Sequence, residues 1–517
     1  MSKPISFGKL DFKVVASMEE PRSKPEPEVP FRVAILGDFS GRESRGTVDR
    51  SLANRKPLRV DRDNLDKVMG KLGVKIDLPI LGKSSPPIRL KFSELDDFHP
   101  DRLFERLDLF ESLRDMRQGL KDPSTFAALT KELETGRETG SLSAPEDMER
   151  SLAKIAGEKT GGLLDQVLEE TQGKPLDTES DRGTSEWDSF LKQMVKPHVR
   201  PNMERQQAEM LASVDAATNE LMRRIVHHPV FQGIEAAWRV VHFLVSKLET
   251  DTQVHVYLFD MSKEELAADL RGEEDLRATG AYKLLVEQTV ETPGGEPWAV
   301  VAGDFIFDHT REDVELLGRL AKICSQAGAP FLAMAHPRLL GCQSLVEAPD
   351  PRDWHRSPDA GSREAWKMLR RLPEVVYVGL ALPRFLLRLP YGAETDPIEQ
   401  FDFEEMGAMP EHDHYLWGNP SFACVCLLAQ SFSQSGWDLW PGSIQDIEGL
   451  PLHVYKVGGE SQITPCAELV LTERGAEAIL DKGLMPLLSF RNQDTVRLAR
   501  FQSLAHPPLP LAGRWSE

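Results

Sequence analysis

One stretch limits the fold of this chain more than any other: WAVVAGDF, HTREDVELLGRLAKICSQAG and PFLAMA, which together run from Trp298 to Ala335. Trp298 to Gly303 is a continuous apolar run of strand length, and Pro330 to Ala335 is a second. Between them Thr310, with Asp313 three residues on, reads as a capping-box start, and Gly328 stands where the helix should end. Strand, helix and strand with short joins make a βαβ unit, which calls for a parallel pair with a right-handed crossover. EVVYVGLAL around residue 376 offers a further buried strand. The expected fold class is therefore α/β. ACVCLLAQSF around Leu427 suits either a strand or a buried helix, and periodicity leaves both open.

Upstream of that unit lies a brace of two amphipathic helices. Met210, Val214, Ala217, Leu221 and Ile225 trace one helical face, and Phe231, Ile234, Trp238, Val241, Val245 and Leu248 trace another. Pro229 cannot continue the first helix and disfavours helical geometry at His228, so the chain must turn at His227-His228-Pro229. After Glu249, QVHVYLF alternates like a strand.

The first part of the chain is separately organised. Residues 1–30 are polar and proline-rich, as in a mobile arm. FRVAILGDFSG reads as a buried strand with a glycine exit turn, followed by a basic loop. GDFSGRES lacks the G-x-x-x-x-G-K-[ST] spacing and the lysine of a phosphate loop, so a nucleotide role is disfavoured. Asp63 is placed to cap a helix with Leu65, Val68, Met69 and Leu72 on one face; IRLKF alternates like a strand. Pro100 opens a helix whose stripe is Leu103, Leu107, Phe110, Leu113 and Leu120. The expectation is a small α/β domain over residues 31–135, then a linker over 136–160. GGLLDQVLEETQ follows, with Leu163, Leu164, Val167 and Leu168 on one side of a short helix. Such a helix either packs on the body or is offered to a partner groove, and the pattern leaves both readings open.

Charge and chemistry narrow the function. Net charge is −20, from 62 basic and 82 acidic residues, the opposite of what phosphate binding requires. The start of the chain lacks a secretory signal and no apolar run approaches bilayer length, so the cytoplasm is expected. Five cysteines lack zinc or disulfide spacing, and Cys424 and Cys426 read as buried structural thiols. His227 and His228, with His242 beyond, lack the i+4 spacing of a zinc helix, which leaves a corner or core role. Asp396, Glu399, Asp402, Glu404, Glu405, His412, Asp413 and His414 form an acidic cluster with no EF-hand order and no nucleophile elbow, better read as a loop facing a basic surface. Arg384 and Arg388 stand among apolar residues just upstream, and Asp402, Glu404 and Glu405 are candidates to pair with them, within one subunit or between copies. No nucleophile, base and oxyanion donor converge, so no catalytic, cofactor or metal residue is assigned.

Several of these stretches carry a family resemblance. LMRRIVHHPVFQGIEAAWRVVHFLV, GAYKLLVEQTVETPGGEPWAVVAGDF and the order LPRFLLRLPYG, FDFEE, HYLWGNPSFA resemble the large sheath subunit of type VI secretion systems. FRVAILGDFSG, RKPLRVDRDNLDKVMGKLG and IRLKFSELDDFHPDRLFERLDLFESLRDMRQGL resemble the small sheath subunit. The resemblance implies a fusion: a small-subunit-like domain at 31–135, the linker, a segment at 161–200, and a large-subunit-like body with βαβ units and brace helices at 201–517. Pro229, Trp238, Trp417 and Asn419 would be structural. The implied partners are other sheath subunits or further copies, an inner tube protein, a baseplate and an AAA+ ATPase that disassembles the spent sheath, with no nucleic acid and no membrane insertion. By position, GGLLDQVLEETQ is similar to the element that ATPase grips, with Leu163, Leu164, Val167 and Leu168 as its contact face. Two departures are expected to matter: the body stops short of the family's C-terminal portion, and the small-subunit part gives way near Gly136. They leave two alternatives beside a sheath subunit: an accessory protein that caps, nucleates or regulates a sheath or baseplate, and, remotely, a cytoplasmic α/β enzyme using the acidic cluster.

Overall fold

The protein is described from a computed structural model over residues 5–10, 25–49, 52–80, 87–121, 203–250, 253–407 and 409–516. The stretch that carries Leu163, Leu164, Val167 and Leu168, and the linker before it, lie outside the described residues.

The expected α/β class is what the chain adopts, built on a nine-stranded mixed sheet. In chain order its strands are β1 (Phe31–Gly37) and β2 (Leu58–Val60), then, beyond the separate antiparallel pair β3 (Val74–Leu78) and β4 (Ile88–Phe92), β5 (Val254–Asp260), β6 (Val300–Phe307), β7 (Phe331–Ala335) and β8 (Val378–Leu382). A short ladder follows, β9 (Phe385–Leu386) with β10 (Trp417–Gly418), and then β11 (Asp446–Ile447). The chain continues through the exposed hairpin β12 (Val454–Val457) and β13 (Glu460–Ile463) to β14 (Met485–Ser489) and β15 (Val496–Leu498). Across the sheet the order is β11-β15-β14-β8-β7-β6-β1-β5-β2. The six strands from β5 to β14 in that order run parallel, and antiparallel strands close both ends.

Both faces of a parallel sheet must be covered, and alternate residues of each strand serve different cores. Val33 and Ile35 of β1, Val256 of β5 and Val300 of β6 face one core; Ala34, Leu36, Val301 and Ala333 face the other. The second core is closed by the helix Arg311–Ala327, which joins β6 to β7 as the βαβ reading requires. Thr310 caps its start through the Asp313 amide, and Gly328 ends it at φ 68°. The first core is closed by the brace, Met203–Val226 and Pro229–Lys247, and by Pro420–Ser435. That last helix settles the two readings of ACVCLLAQSF. Its residues from Pro420 to Ala429 are all buried, so no amphipathic period exists to read.

Three local expectations are corrected. Asp63 does not cap its helix: Asn64 holds that position, and Asp61 accepts the Asp63 and Asn64 amides. The helix from Pro100 is not continuous, for it stops at Arg106 and resumes at Glu111. Arg114 makes the break tolerable by donating to the freed Phe104 and Leu107 carbonyls. Most important, residues 31–121 do not close a core of their own. β1 lies between β5 and β6, β2 pairs with β5, and the buried side chains of this segment join those of the brace in one cluster.

Candidate functional site

The feature that sets this architecture apart is the joint between the first segment and the body. β1 is in register with β5 over all seven of its residues, Phe31 with Val254 through Gly37 with Asp260, and with β6 from Val33 to Leu36. Just past the end of β1, Asp260 accepts the Phe39 and Ser40 amides at 2.9 and 3.0 Å and the Ser40 hydroxyl at 2.8 Å. Trp238, fully buried on the brace, donates its indole N–H to the Phe39 carbonyl at 2.9 Å. Its ring meets Phe39 edge-on, and Phe231 meets Phe92 and Phe98 in the same way. The carbonyl and rings that Trp238 and Phe231 meet belong to the first segment.

An ion pair cluster fastens the joint on the opposite face. Glu265 closes a capping box with Ser262 at the start of Lys263–Gly272. The same carboxylate receives Arg42 at 2.8 Å, Arg55 at 2.7 Å and the Asp49 amide at 2.7 Å, all from the first segment. Burial raises its pKa, but the two arginines and the amides outweigh that and hold it at about 2.

A second buried network ties the motifs of the body together. Arg388 lies between two carboxylates, bonding Glu235 of the brace at 2.8 Å and Glu405 at 2.7 and 3.0 Å. Its guanidinium also covers the Tyr391 ring at 4.1 Å. Arg239 completes the set, with Glu235 at 2.7 Å and the Tyr391 hydroxyl at 2.9 Å. Glu405 accepts the Tyr391 amide at 2.7 Å, and His227 stands 3.6 Å away, stacked flat on His414. Burial pushes Glu405 up, yet Arg388, His227 and that amide hold it at about 2. Two arginines face two carboxylates, so the buried charge sums to zero.

The residues singled out in the sequence are therefore divided. Arg388 and Glu405 meet within one chain, whereas Arg384 turns to Glu468, at 2.6 Å, with His412 on the same carboxylate at 3.0 Å. Asp402 and Glu404 are exposed, and Glu404 accepts the Ala393 amide. Asp396 accepts the Gly392 amide through its backbone carbonyl, and the Glu399 amide donates to Asp101 of the first segment. His228 caps the second brace helix by accepting the Val230 amide, and Pro229 is its first residue. Asn419 caps Pro420–Ser435, and Trp417 bonds the His412 carbonyl. Cys424 and Cys426 are fully buried in that helix, with thiols pushed up to about 12 by burial. Among the described residues no group of three or more His, Cys, Asp or Glu is placed to hold a metal ion, and no helix is long and apolar enough to cross a membrane.

Glu235, Glu265, Glu468, Arg42 and Arg55 escaped the sequence reading. Glu235 carried a usable signal: a carboxylate on the apolar side of the brace, beside Ile234 and Trp238, with Arg239 four residues on. The others share no local pattern with their partners.

Residues 208–505, more than half of the chain, match the family model described as EvpB/VC_A0108, tail sheath N-terminal domain. The chain belongs to the tail sheath family. Residues 14–139 match a second model, described as type VI secretion system, VipA, VC_A0107 or Hcp2. The junction between the two sheath-type segments therefore falls between residues 139 and 208, and the shared sheet brings its strands from both sides of that junction. A similar protein is the type VI secretion system sheath protein TssC1 of Pseudomonas aeruginosa strain PAO1, 35% identical over 305 residues. The matched region is 58% of this chain and spans 61% of that relative's length.

Proposed function

We propose that the chain is a structural subunit of a type VI secretion contractile sheath in which small- and large-subunit parts are one polypeptide. The observation that carries this reading is the position of β1: a strand from the small-subunit match lies between two strands of the body. A strand seated between parallel neighbours cannot leave without opening two unpaired edges. Tethering keeps it at high effective concentration and fixes one-to-one stoichiometry.

In this reading the subunit is a rigid block in the cytoplasm that stacks around an inner tube. The free energy of contraction resides in contacts between blocks, which switch from one packing to another with no covalent step. The joint at Trp238 and Glu265 and the network at Arg388 keep each block intact through that movement. The baseplate and a disassembly ATPase are the further partners, the ATPase through Leu163, Leu164, Val167 and Leu168. Of the candidates for pairing between copies, Arg384, Arg388, Asp402, Glu404 and Glu405, the internal partners of Arg384, Arg388 and Glu405 leave Asp402 and Glu404 on the surface for that role. Replacing Leu164 and Val167 with Asp should weaken ATPase binding with the fold intact, and an unchanged affinity would remove that partner from the account. The sheath reading itself is tested by electron microscopy of the chain with tube protein: tubes support it, and small monodisperse particles alone oppose it.

A further inference from the structure

A cleft of about 530 Å³ opens where β1 and β6 end. The carboxyl ends of parallel strands are where α/β sheets leave crevices. One wall is the second brace helix, which turns Gly233, Ala236, Ala237 and Val240 towards it. Gly233 is exposed, and a Cβ built on it meets nothing within 4 Å, so that wall stands open. Ile306 stands at the rim, 46% exposed although large and apolar.

The charges around the cleft do not balance. Its two cations are engaged elsewhere, Lys263 with Asp313 at 2.6 Å and Arg384 with Glu468. Asp38, Glu43 and Asp304 also line it, and among the described residues they form no ion pair. Asp38 accepts two backbone amides, and Asp304 has only the Asn419 amide group at 3.3 Å. Burial, with Asp38 nearby, pushes Asp304 up to about 6. Burial, Asp38 and Glu264 raise Glu43, and Lys263 opposes them only in part.

We propose that this cleft is a socket in which one copy of the chain receives a lysine or arginine side chain from a neighbouring copy. Apolar walls suit the methylene stem of such a side chain, and the carboxylates that line the cleft suit its head. A chain of net charge −20 repels its own copies unless charges pair locally, and an acidic cleft whose own two cations are already paired is a place for that pairing. The inference rests on the reading of the chain as an assembling sheath subunit and names one of its contacts.

The test uses the full chain carrying Gly233→Cys. All five native cysteines are buried, so the introduced thiol is the accessible one to a maleimide probe. Labelling should be fast in dispersed protein and at least about tenfold slower once assembled, as expected for a site covered by a neighbour. Gly233→Leu, which projects into the cleft, should block assembly with an unchanged circular dichroism spectrum, and Asp304→Asn should weaken it. Assemblies in which the thiol labels as fast as in free protein, and which Gly233→Leu still forms, overturn the socket and leave the sheath reading standing. Shielding that appears only when a different protein is added overturns the second copy as occupant. Failure of the unaltered chain to assemble under any condition overturns the sheath reading, and the socket with it.

Discussion

Arg388→Met should be among the most damaging single substitutions in this protein. The guanidinium is 7% exposed, and its partners Glu235 and Glu405 are 0% and 1% exposed. Without it Glu235 keeps Arg239, but Glu405 is left with His227 and one backbone amide. Breaking a buried pair in this way costs about 3–5 kcal/mol. The titration of Glu405 gives a similar figure. It is held at about 2 against an ordinary 4.5. At about 1.4 kcal/mol per pH unit that is roughly 3 kcal/mol. A carboxylate with a lowered folded pKa contributes above its unfolded value and loses that contribution as the pH falls. In the variant, burial unopposed by Arg388 raises Glu405 instead, so the penalty is greatest at pH 7 and shrinks on acidification. Urea unfolding followed by circular dichroism at pH 7 and pH 5 measures both effects. Adding Glu405→Gln to the variant should recover part of the loss at pH 7. A loss below about 1 kcal/mol, the range of exposed ion pairs, would refute the reasoning.

Trp238→Phe leaves the buried Phe39 carbonyl without its donor and should cost about 1–3 kcal/mol in the same urea assay. Glu265, Glu405 and Glu468 are each held at about 2 by their cationic partners against the effect of burial, so the urea midpoint should fall steeply as the pH drops from about 5 towards 2. Burial lowers His228, His242, His414 and His453, and these neutral side chains should begin a shallower loss below about pH 6.5; a flat midpoint down to pH 3 would contradict both assignments. Residues 203–517 expressed alone should aggregate, because β5 and β6 lose the strand between them, and co-expression of residues 25–121 should restore soluble protein.

Sequence patterns conveyed the elements far better than their neighbours. FRVAILG was legible as a strand because its apolar run is local, but nothing within it says that Phe31 pairs with Val254 more than two hundred residues away. The segment therefore read as a separate small domain, although its strand belongs to the central sheet. Arg388 and Glu405 were legible only as members of a group of two arginines and three carboxylates, because 17 residues separate them; which carboxylate meets which arginine was not. Glu468, 84 residues from Arg384, had no such proximity. The break at Leu107 was hidden because Leu103, Phe110, Leu113 and Leu120 keep a helical rhythm across it, and only the Arg114 contacts show how the interruption is stabilised. Pro420–Ser435 was ambiguous for the opposite reason: a helix buried on every side has no polar face to betray its period.

The central claim is that both sheath-type segments act as one block that stacks into a sheath. Electron microscopy of the full chain incubated with inner tube protein tests it most directly. The account predicts helical tubes with density for the first segment and the body in every subunit, β1 lying between β5 and β6. Discrete particles that never polymerise, or tubes whose subunits lack the first segment at that position, would contradict it.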